Sequence, residues 1–300
     1  MKKPFPLILL ASPLIFSLEL VFLKWAFSAG KIDPVTFTAN RSLLAVLLLA
    51  AFFGRSLLAS VRKNPATLLK WAAILGGLRV FADLFYFIAQ SRTTPTAFTL
   101  LSQLSTFATA ALAYVFLRER MSAREFLGGL VMLAGAAMII LSGGGFSISS
   151  GSVLILGFVL FVSSGNIASK KGFSEGAERN ALLLSSVAVA TAGFYVLEPL
   201  FFGVNPIRTF SSEFPYALGG AAFFVANVSL IFYCIEKFGP SRMQFAGVTN
   251  VLFSALFSFV FLGLVPSAGQ LLGGAVIVGG VLVFLGIFNH KIFNPGATPR

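Results

Sequence analysis

Three charged residues, Glu19, Arg79 and Asp83, lie within long apolar stretches of the 300-residue sequence. An ionised side chain at the centre of a bilayer costs at least about 2.5–3.5 kcal/mol on insertion scales, so each needs a partner, water or a function. Asp83 follows Arg79 by four residues, which places both on one face of a helix. Such a group can bind a zwitterion, with arginine on the carboxylate and an acid on the ammonium group. It can equally be a static ion cluster that holds two helices together.

A deep carboxylate can also carry a coupling proton, because burial disfavours its charged form. Glu19 and Asp83 are the candidates for this role, although Arg79 opposes it by favouring the charged form. At 1.5 Å per residue, Glu19 and Arg79 lie about 15 and 16 Å below the predicted outer ends of their helices, near the membrane midplane.

Three further charged residues are shallower: Lys24, Arg41 and Glu198 lie about 8–9 Å from the predicted outer surface. Lysine and arginine can extend to the interface, so Lys24 and Arg41 are explained by anchoring of helix ends as well as by a role in binding. Glu198 is followed by Pro199, and we expect it to be a shallow helix-end residue. Lys24 is retained as a candidate ligand for a carboxylate.

Composition determines the environment of these residues. The sequence is 57% hydrophobic and 11% charged, with a mean hydropathy of +0.92, whereas a soluble domain carries about 25% charged residues. We therefore expect a multi-pass membrane protein. The net charge of +12 does not predict nucleic-acid binding, because the basic residues lie between apolar runs and form no continuous patch.

The chain has a single cysteine, Cys234, and a single histidine, His290. They exclude an intrachain disulfide and leave almost no material for a metal site or for histidine acid–base chemistry. We expect no cofactor, no metal and no enzymatic activity.

Ten apolar spans of about 20 residues, enough to cross a 30 Å hydrocarbon core, are predicted. They lie at 6–29, 35–53, 68–90, 95–117, 124–142, 150–169, 180–203, 213–236, 240–263 and 267–288. The first span is too long and too charged for a signal peptide, so we expect it to be retained.

The lysines and arginines predict the orientation. With the N-terminus inside, 16 of the 22 fall in cytoplasmic segments, 3 in outside loops and 3 inside spans. Cytoplasmic loops carry the excess of these residues. Both termini are therefore predicted to be cytoplasmic, in a plasma or inner membrane.

The stretch from Pro95 to Leu141 recurs 145 positions later, with 12 identities in the 41 positions from 95 to 135. Such self-similarity indicates a duplicated unit. The same offset pairs Phe87 with Phe232. Five helices per copy is an odd number, so the second copy is inverted, a common build of secondary transporters. The prediction is an all-α membrane protein of ten transmembrane helices, built as two inverted five-helix repeats at 1–145 and 146–300, joined at the uncharged linker 142–151.

With these features the chain resembles the drug/metabolite transporter superfamily and its paired EamA-type domains. The residues that carry the resemblance are the fourth-span end at 116–120 (FLRER), Leu127-Gly128-Gly129 at the start of the fifth span, and Pro34-Val35 followed six residues later by Arg41. Two departures concern the subfamily rather than the fold. Leu264 stands where members commonly keep a glutamate, and Ser105-Thr106 stand near a common proline.

The resemblance implies that helices 1, 3, 4, 6, 8 and 9 line a central cavity. Polar residues of those helices then join the charged ones as candidate substrate ligands: Glu19, Lys24, Arg79, Asp83, Tyr86, Gln103, Asn166, Asn227 and Asn250. Each uncharged one is equally explained by an interhelical hydrogen bond, which in membranes averages about 0.6 kcal/mol.

The sequence therefore predicts a secondary active transporter of small organic metabolites, and more narrowly an exporter of amino acids or similar zwitterions that works by alternating access. The alternative is a facilitator or exchanger of phosphorylated or nucleotide-linked sugars. Such a dianionic substrate would need several unpaired lysines or arginines in the cavity, whereas each basic residue inside the spans here has an acid of its own. A non-transporting membrane scaffold is the hypothesis from another class. The expected partners are a small-molecule substrate, the lipid bilayer and protons as a candidate coupling ion, in a monomer or loose homodimer.

Overall fold

The computed structural model describes residues 7–28, 32–92, 102–142, 150–263, 265 and 267–285, and within these ranges the chain is helical with no strand. The helices are α1 Ile8–Ser28, α2 Pro34–Lys63, α3 Pro65–Arg92, α4 Leu104–Leu112, α5 Ala123–Ser142, α6 Ser150–Ser174, α7 Arg179–Phe202, α8 Pro206–Phe238, α9 Pro240–Gly247, α10 Asn250–Leu262 and α11 Ala268–Leu285. A π-helical turn, Ala113–Leu117, extends α4.

Six segments in the described ranges are long and apolar enough to cross a membrane. They are Pro34–Lys63, Pro65–Ala89, Val153–Ser174, Arg179–Phe202, Pro206–Phe238 and Pro240–Phe261. Shorter apolar helices cover Ile8–Leu23, Leu104–Leu117 and Ala268–Phe284. The chain is thus an all-helical, multi-pass membrane protein.

Local sequence explains where the central helices begin. Asp33 caps α2 by accepting a hydrogen bond from the Thr36 amide at 3.0 Å, with Pro34 at the first helical position. Asn205 caps α8 in the same way, accepting from the Ile207 amide at 3.0 Å ahead of Pro206. Proline is favoured at a helix start because its missing N–H would be unpaired there anyway.

Three predicted spans differ most from the observed helices. The span predicted at 35–53 is part of α2, which continues to Lys63. The span predicted at 213–236 is part of a longer helix, because the Asn205 cap starts α8 at Pro206. The span predicted at 240–263 is two helices, α9 and α10. At the break the Thr249 hydroxyl donates to the Ala246 carbonyl at 2.7 Å, and this side-chain bond competes with the helical pattern. The predicted joint lies mostly at 143–149, outside the described residues.

The largest buried apolar cluster joins α1, α2, α3, α6, α7 and α8. A second cluster joins α5 and α11 with α9 and α10. Glycines bring α5 and α11 together: a Cβ placed on Gly135 would lie 2.7 Å from the Gly273 carbonyl oxygen, and one on Gly273 would lie 2.7 Å from the Gly135 oxygen. Small residues of this kind let membrane helices approach closely.

Candidate substrate site

Four charged side chains from three helices meet inside the bundle, and we call them the charged cluster: Glu19 on α1, Arg41 on α2, and Arg79 and Asp83 on α3. Arg41 donates to a Glu19 carboxylate oxygen at 2.9 Å. Its other terminal nitrogen lies 3.6 Å from Asp83 Oδ2, and Arg79 Nε lies 3.9 Å from the same oxygen. Arg41 therefore bridges α1 and α3.

The charged cluster has a closed side and an accessible side. The Arg41 and Glu19 side chains are only 6% and 4% exposed, whereas Arg79 and Asp83 are 20% and 19% exposed. Arg79 and Asp83 are thus the more exposed pair of the charged cluster, and Arg41 and Glu19 are the buried pair.

The ring of Phe224, on α8, lies against both arginines. The guanidinium carbons of Arg41 and Arg79 are 4.7 and 4.6 Å from the ring centroid, within cation–π range. One turn earlier, Gly220 makes room for α2, because an added Cβ there would lie 3.0 Å from Phe37 and 3.4 Å from Arg41 Cδ. The sequence of α8 therefore shapes one wall of the charged cluster.

Both arginines keep an unused donor. The Nε atoms of Arg41 and Arg79 are buried and have no hydrogen-bond partner within the described part of the chain. A buried donor without an acceptor costs about 1–3 kcal/mol. A carboxylate group, which accepts from guanidinium groups at short range, would relieve that cost.

Two of the predicted asparagines, Asn227 on α8 and Asn250 on α10, accept hydrogen bonds from α1, the helix that carries Glu19. Ser12 donates to Asn227 Oδ1 at 2.7 Å, and Ser17 donates to the Asn250 carbonyl at 2.9 Å. The Asn250 side-chain oxygen is buried without a partner among the described residues. Of these two side chains, that of Asn250 keeps an unused acceptor, whereas Asn227 already accepts from α1.

The remaining predicted residues are spread more widely. Tyr86 packs against Phe87 and Phe158, with ring centroids 4.9 and 5.5 Å apart. Gln103 precedes α4 and Asn166 lies on α6, two helices linked by the Ser163 hydroxyl, which donates to the Ser105 carbonyl at 3.2 Å. None of the hydrogen bonds or ion pairs seen in the described ranges joins Gln103 or Asn166 to the charged cluster. The Lys24 side chain lies outside the described residues.

Three residues differ from their expected places or were not foreseen. Arg41 is 5% exposed and does not extend to the interface, and Glu198, four residues before the end of α7, is fully buried. Glu213 is also buried, at 1% exposure, although it was predicted at the very start of a span. The signal that could have found Glu213 is the Asn205-Pro206 helix start, which places it a full two turns inside α8.

Ion pairs join other helices at the end that the charge distribution predicts to be cytoplasmic. Arg242 donates to Glu125 at 2.7 Å and links α9 to α5, while Arg179 donates to Glu236 at 2.9 Å and links α7 to α8. Burial raises the pKa of Glu119, which lies in the loop before α5, in spite of the nearby Arg242. The helices are tied together at this end of the bundle.

Comparisons with known proteins agree with this architecture. Residues 5–141 match the EamA-like transporter family. An uncharacterized transporter of Methanothermobacter thermautotrophicus is 26% identical over 235 residues, which cover 75% of this chain and 66% of the relative, just under two thirds of its length. The uncharacterized transporter YyaM of Bacillus subtilis is 22% identical over 283 residues, covering 89% of this chain and 90% of the relative.

A protein of known crystal structure has the same fold. The two chains superpose with a TM-score of 0.74 at 19% identity, over 95% of this chain and 98% of the other. The family resemblance inferred from the sequence is confirmed.

Proposed function

We propose that this membrane protein, of which residues 5–141 match the EamA-like transporter family, exports small zwitterionic metabolites, amino acids among them, by secondary active transport. Substrate would bind at the charged cluster. Its carboxylate would accept from Arg79 and its ammonium group would lie against Asp83.

The observation that carries the proposal is the pairing of an unused donor with an accessible acid. Arg79 keeps a buried Nε–H without an acceptor, and Asp83, one turn away on α3, is partly exposed. A zwitterion satisfies both groups and leaves the net charge of the charged cluster unchanged. A phosphorylated sugar would bring two negative charges to a place where each arginine already has an acid, so we favour the zwitterion.

Alternating access would follow from two inverted repeats, 1–145 and 146–300. The offset of 145 pairs Arg79 with Phe224, and the two side chains contact each other at 4.6 Å. It also pairs Gly128 with Gly273 and Gly135 with Gly280. Gly135 contacts Gly273, and a Cβ on Gly280 would lie 2.9 Å from the Gly128 oxygen. Reciprocal contacts of this kind are what a two-fold relation produces, and they support the repeat.

The ion pairs of Arg242 with Glu125 and of Arg179 with Glu236 support a state that is closed at the predicted cytoplasmic end. In this arrangement transport requires these pairs to separate as the two repeats rock against each other.

The test is binding and flux with defined probes. Purified protein is screened by thermal shift against L-leucine, L-phenylalanine and glucose 6-phosphate, and reconstituted protein is assayed for exchange of radiolabelled leucine. Arg79→Met should weaken leucine binding by about 10- to 100-fold, the loss of one hydrogen bond to a charged group of about 1.5–3 kcal/mol. The exposed Arg208→Met is the matched control and should behave as wild type. A thermal shift with glucose 6-phosphate alone, or wild-type exchange by Arg79→Met, would contradict the proposal.

A further inference from the structure

A second group of buried acids lies apart from the charged cluster, between α2, α7 and α8. Glu198 on α7 is fully buried, and neither of its carboxyl oxygens has a hydrogen-bond partner in the described part of the chain. An ionised carboxylate buried without a cation or donors carries a penalty of several kcal/mol. The fold therefore suits this carboxyl group as the neutral acid.

Glu213 on α8 has a different environment, although it is also buried. The Thr36 hydroxyl and the Asn40 amide nitrogen each donate to its carboxylate oxygens at 2.7 Å. The Tyr195 hydroxyl donates to Asn40 Oδ1 at 3.0 Å, which turns the amide nitrogen towards Glu213. Both carboxylate oxygens of Glu213 thus accept a hydrogen bond, whereas those of Glu198 have no donor in the described part of the chain. Unequal environments of this kind are typical of acid pairs in which one member carries a proton.

Among the described side chains, the charged groups that act on Glu198 are acidic. Its helix packs against α2, α3 and α8, and the described charges that act on it are those of Asp33, which caps α2, and Glu213. The side chain of Arg92, at the end of α3, lies outside the described residues. On α2 and α3, Arg41, Arg79 and Asp83 belong to the charged cluster, where they interact with Glu19 and with each other. On α8, Arg208 is exposed. A neighbouring like charge disfavours a second ionised carboxylate.

We infer that Glu198, paired with Glu213, is a proton-binding site that couples proton entry to transport, separate from the charged cluster. The proton binds to a carboxylate oxygen of Glu198 from water on the side where α7 ends and α8 begins. It later leaves the same oxygen for water on the other side, and no other bond changes. A metal ion is a poorer fit, because the described residues contain no group of three or more Asp, Glu, His or Cys arranged to hold one.

Two helices connect this site with the charged cluster. On α2, Asn40 binds Glu213 and the next residue, Arg41, binds Glu19. On α8, Glu213 is followed two turns later by Gly220, which Arg41 contacts, and then by Phe224. A change in the charge of the Glu198–Glu213 pair can therefore shift α2 or α8 and alter the substrate contacts.

The proton site can be tested without any transport. In phosphatidylethanolamine–phosphatidylglycerol liposomes, the infrared carbonyl stretch of a protonated carboxyl group is followed as the pH is raised through the neutral range. We expect titrating carbonyl bands in the wild type, one of which, the Glu198 band, is lost in Glu198→Gln. The band of Glu119, whose pKa burial also raises, should remain in that variant, and Glu125→Gln, whose carboxylate is paired with Arg242, should keep every band. An unchanged set of bands in Glu198→Gln, or no titrating band in the wild type, would overturn the inference.

Glu213→Gln is a second variant, in case the first does not fold. It removes the neighbouring charge and leaves Glu198 in place, so the pH at which the band disappears should move from the wild-type value. An unchanged titration would overturn the pairing of the two acids.

Coupling to transport rests on the proposed function and is tested separately. Proteoliposomes loaded with radiolabelled leucine are given an outside-to-inside proton gradient or none. Wild-type efflux should follow the gradient, Glu198→Gln should keep leucine exchange but lose the response to the gradient, and Arg79→Met should lose both. A gradient response in Glu198→Gln would overturn the coupling. Absence of leucine flux in the wild type would count against the proposed substrate class, while the infrared result would still decide the proton site.

Discussion

Replacing Arg41 by methionine should destabilise the protein far more than the same change at Arg79. Arg41 makes a 2.9 Å hydrogen-bonded ion pair with Glu19, and both side chains are almost fully buried. Removing one partner of a buried pair leaves the other charge uncompensated, which costs about 3–5 kcal/mol. Both arginines contact the ring of Phe224, but Arg41 also contacts the ring of Phe87, so its cost should lie at the upper end.

Arg79→Met is the variant whose stability is compared with that of Arg41→Met. Arg79 lies 3.9 Å from Asp83 one turn along the same helix, and about a fifth of each side chain is exposed. Ion pairs with this spacing stabilise a helix by about 0.2–0.5 kcal/mol each. When Arg79 is replaced, Asp83 still has the charge of Arg41 at 3.6 Å, so it does not become an unpaired acid. Arg79→Met should therefore leave the stability within about 1 kcal/mol of wild type while weakening leucine binding.

The measurement is the free energy of unfolding in mixed micelles titrated with dodecyl sulfate. The buried Trp71, whose indole donates to Glu175 at 2.8 Å, gives a fluorescence signal for the folded state. A double variant, Glu19→Gln with Arg41→Met, completes the cycle. Removing both charges from a buried pair is often close to neutral, so the double variant should be clearly more stable than Arg41→Met alone.

Two results would refute this reasoning. Arg41→Met could cost no more than Arg79→Met, which would mean that the buried pair is solvated in the membrane-embedded protein. Alternatively, the double variant could be as unstable as Arg41→Met. The loss would then come from packing of the arginine side chain against Phe224 and Gly220, and not from the unpaired charge of Glu19.

Further predictions concern packing and pH. Gly135→Val should separate α5 from α11 and sharply reduce the yield of folded protein by size-exclusion chromatography, because an added Cβ would already lie 2.7 Å from the Gly273 oxygen. Gly54→Ala, where a Cβ meets nothing within 4 Å, is the control and should stabilise α2 by up to about 1 kcal/mol. Burial raises the pKa of Glu119 above 4.5, so its folded form holds the proton more tightly than the unfolded form. Stability should therefore fall as the pH rises from 4.5 through the raised pKa, and Glu119→Gln should lose that part of the slope in unfolding curves measured at several pH values.

Local rules were enough to predict that Arg79 and Asp83 share a helix face and that the deep charged residues have partners inside the protein. The spacing of Arg79 and Asp83 predicted one shared helix face, and their side chains do lie 3.9 Å apart. Their depth within an apolar span, with that of Glu19, predicted that they would need partners inside the protein. Both inferences use only the rise and turn of a helix, which the sequence determines directly.

Lateral neighbours were not predictable in the same way. Depth alone suggested that Arg41 could anchor a helix end, but Gly220 and Phe224 of α8 surround it and direct it towards Glu19. The burial of Glu198 could not be predicted from depth either, since it depends on α2 and α8 rather than on its own helix. The contacts of α2 with α7 and α8 join segments more than 100 residues apart, and hydropathy along the chain does not contain them.

The contact between Arg79 and Phe224 bears on how such a chain can arise. On the proposed repeat relation these residues occupy equivalent positions, so a homodimer of two identical first halves would bring two arginines face to face. Two guanidinium groups at that distance would repel each other in a medium of low dielectric constant. Phenylalanine at 224 replaces that repulsion by a cation–π attraction. The present arrangement therefore requires two copies that differ at this position, which a fused gene provides and a symmetric dimer does not.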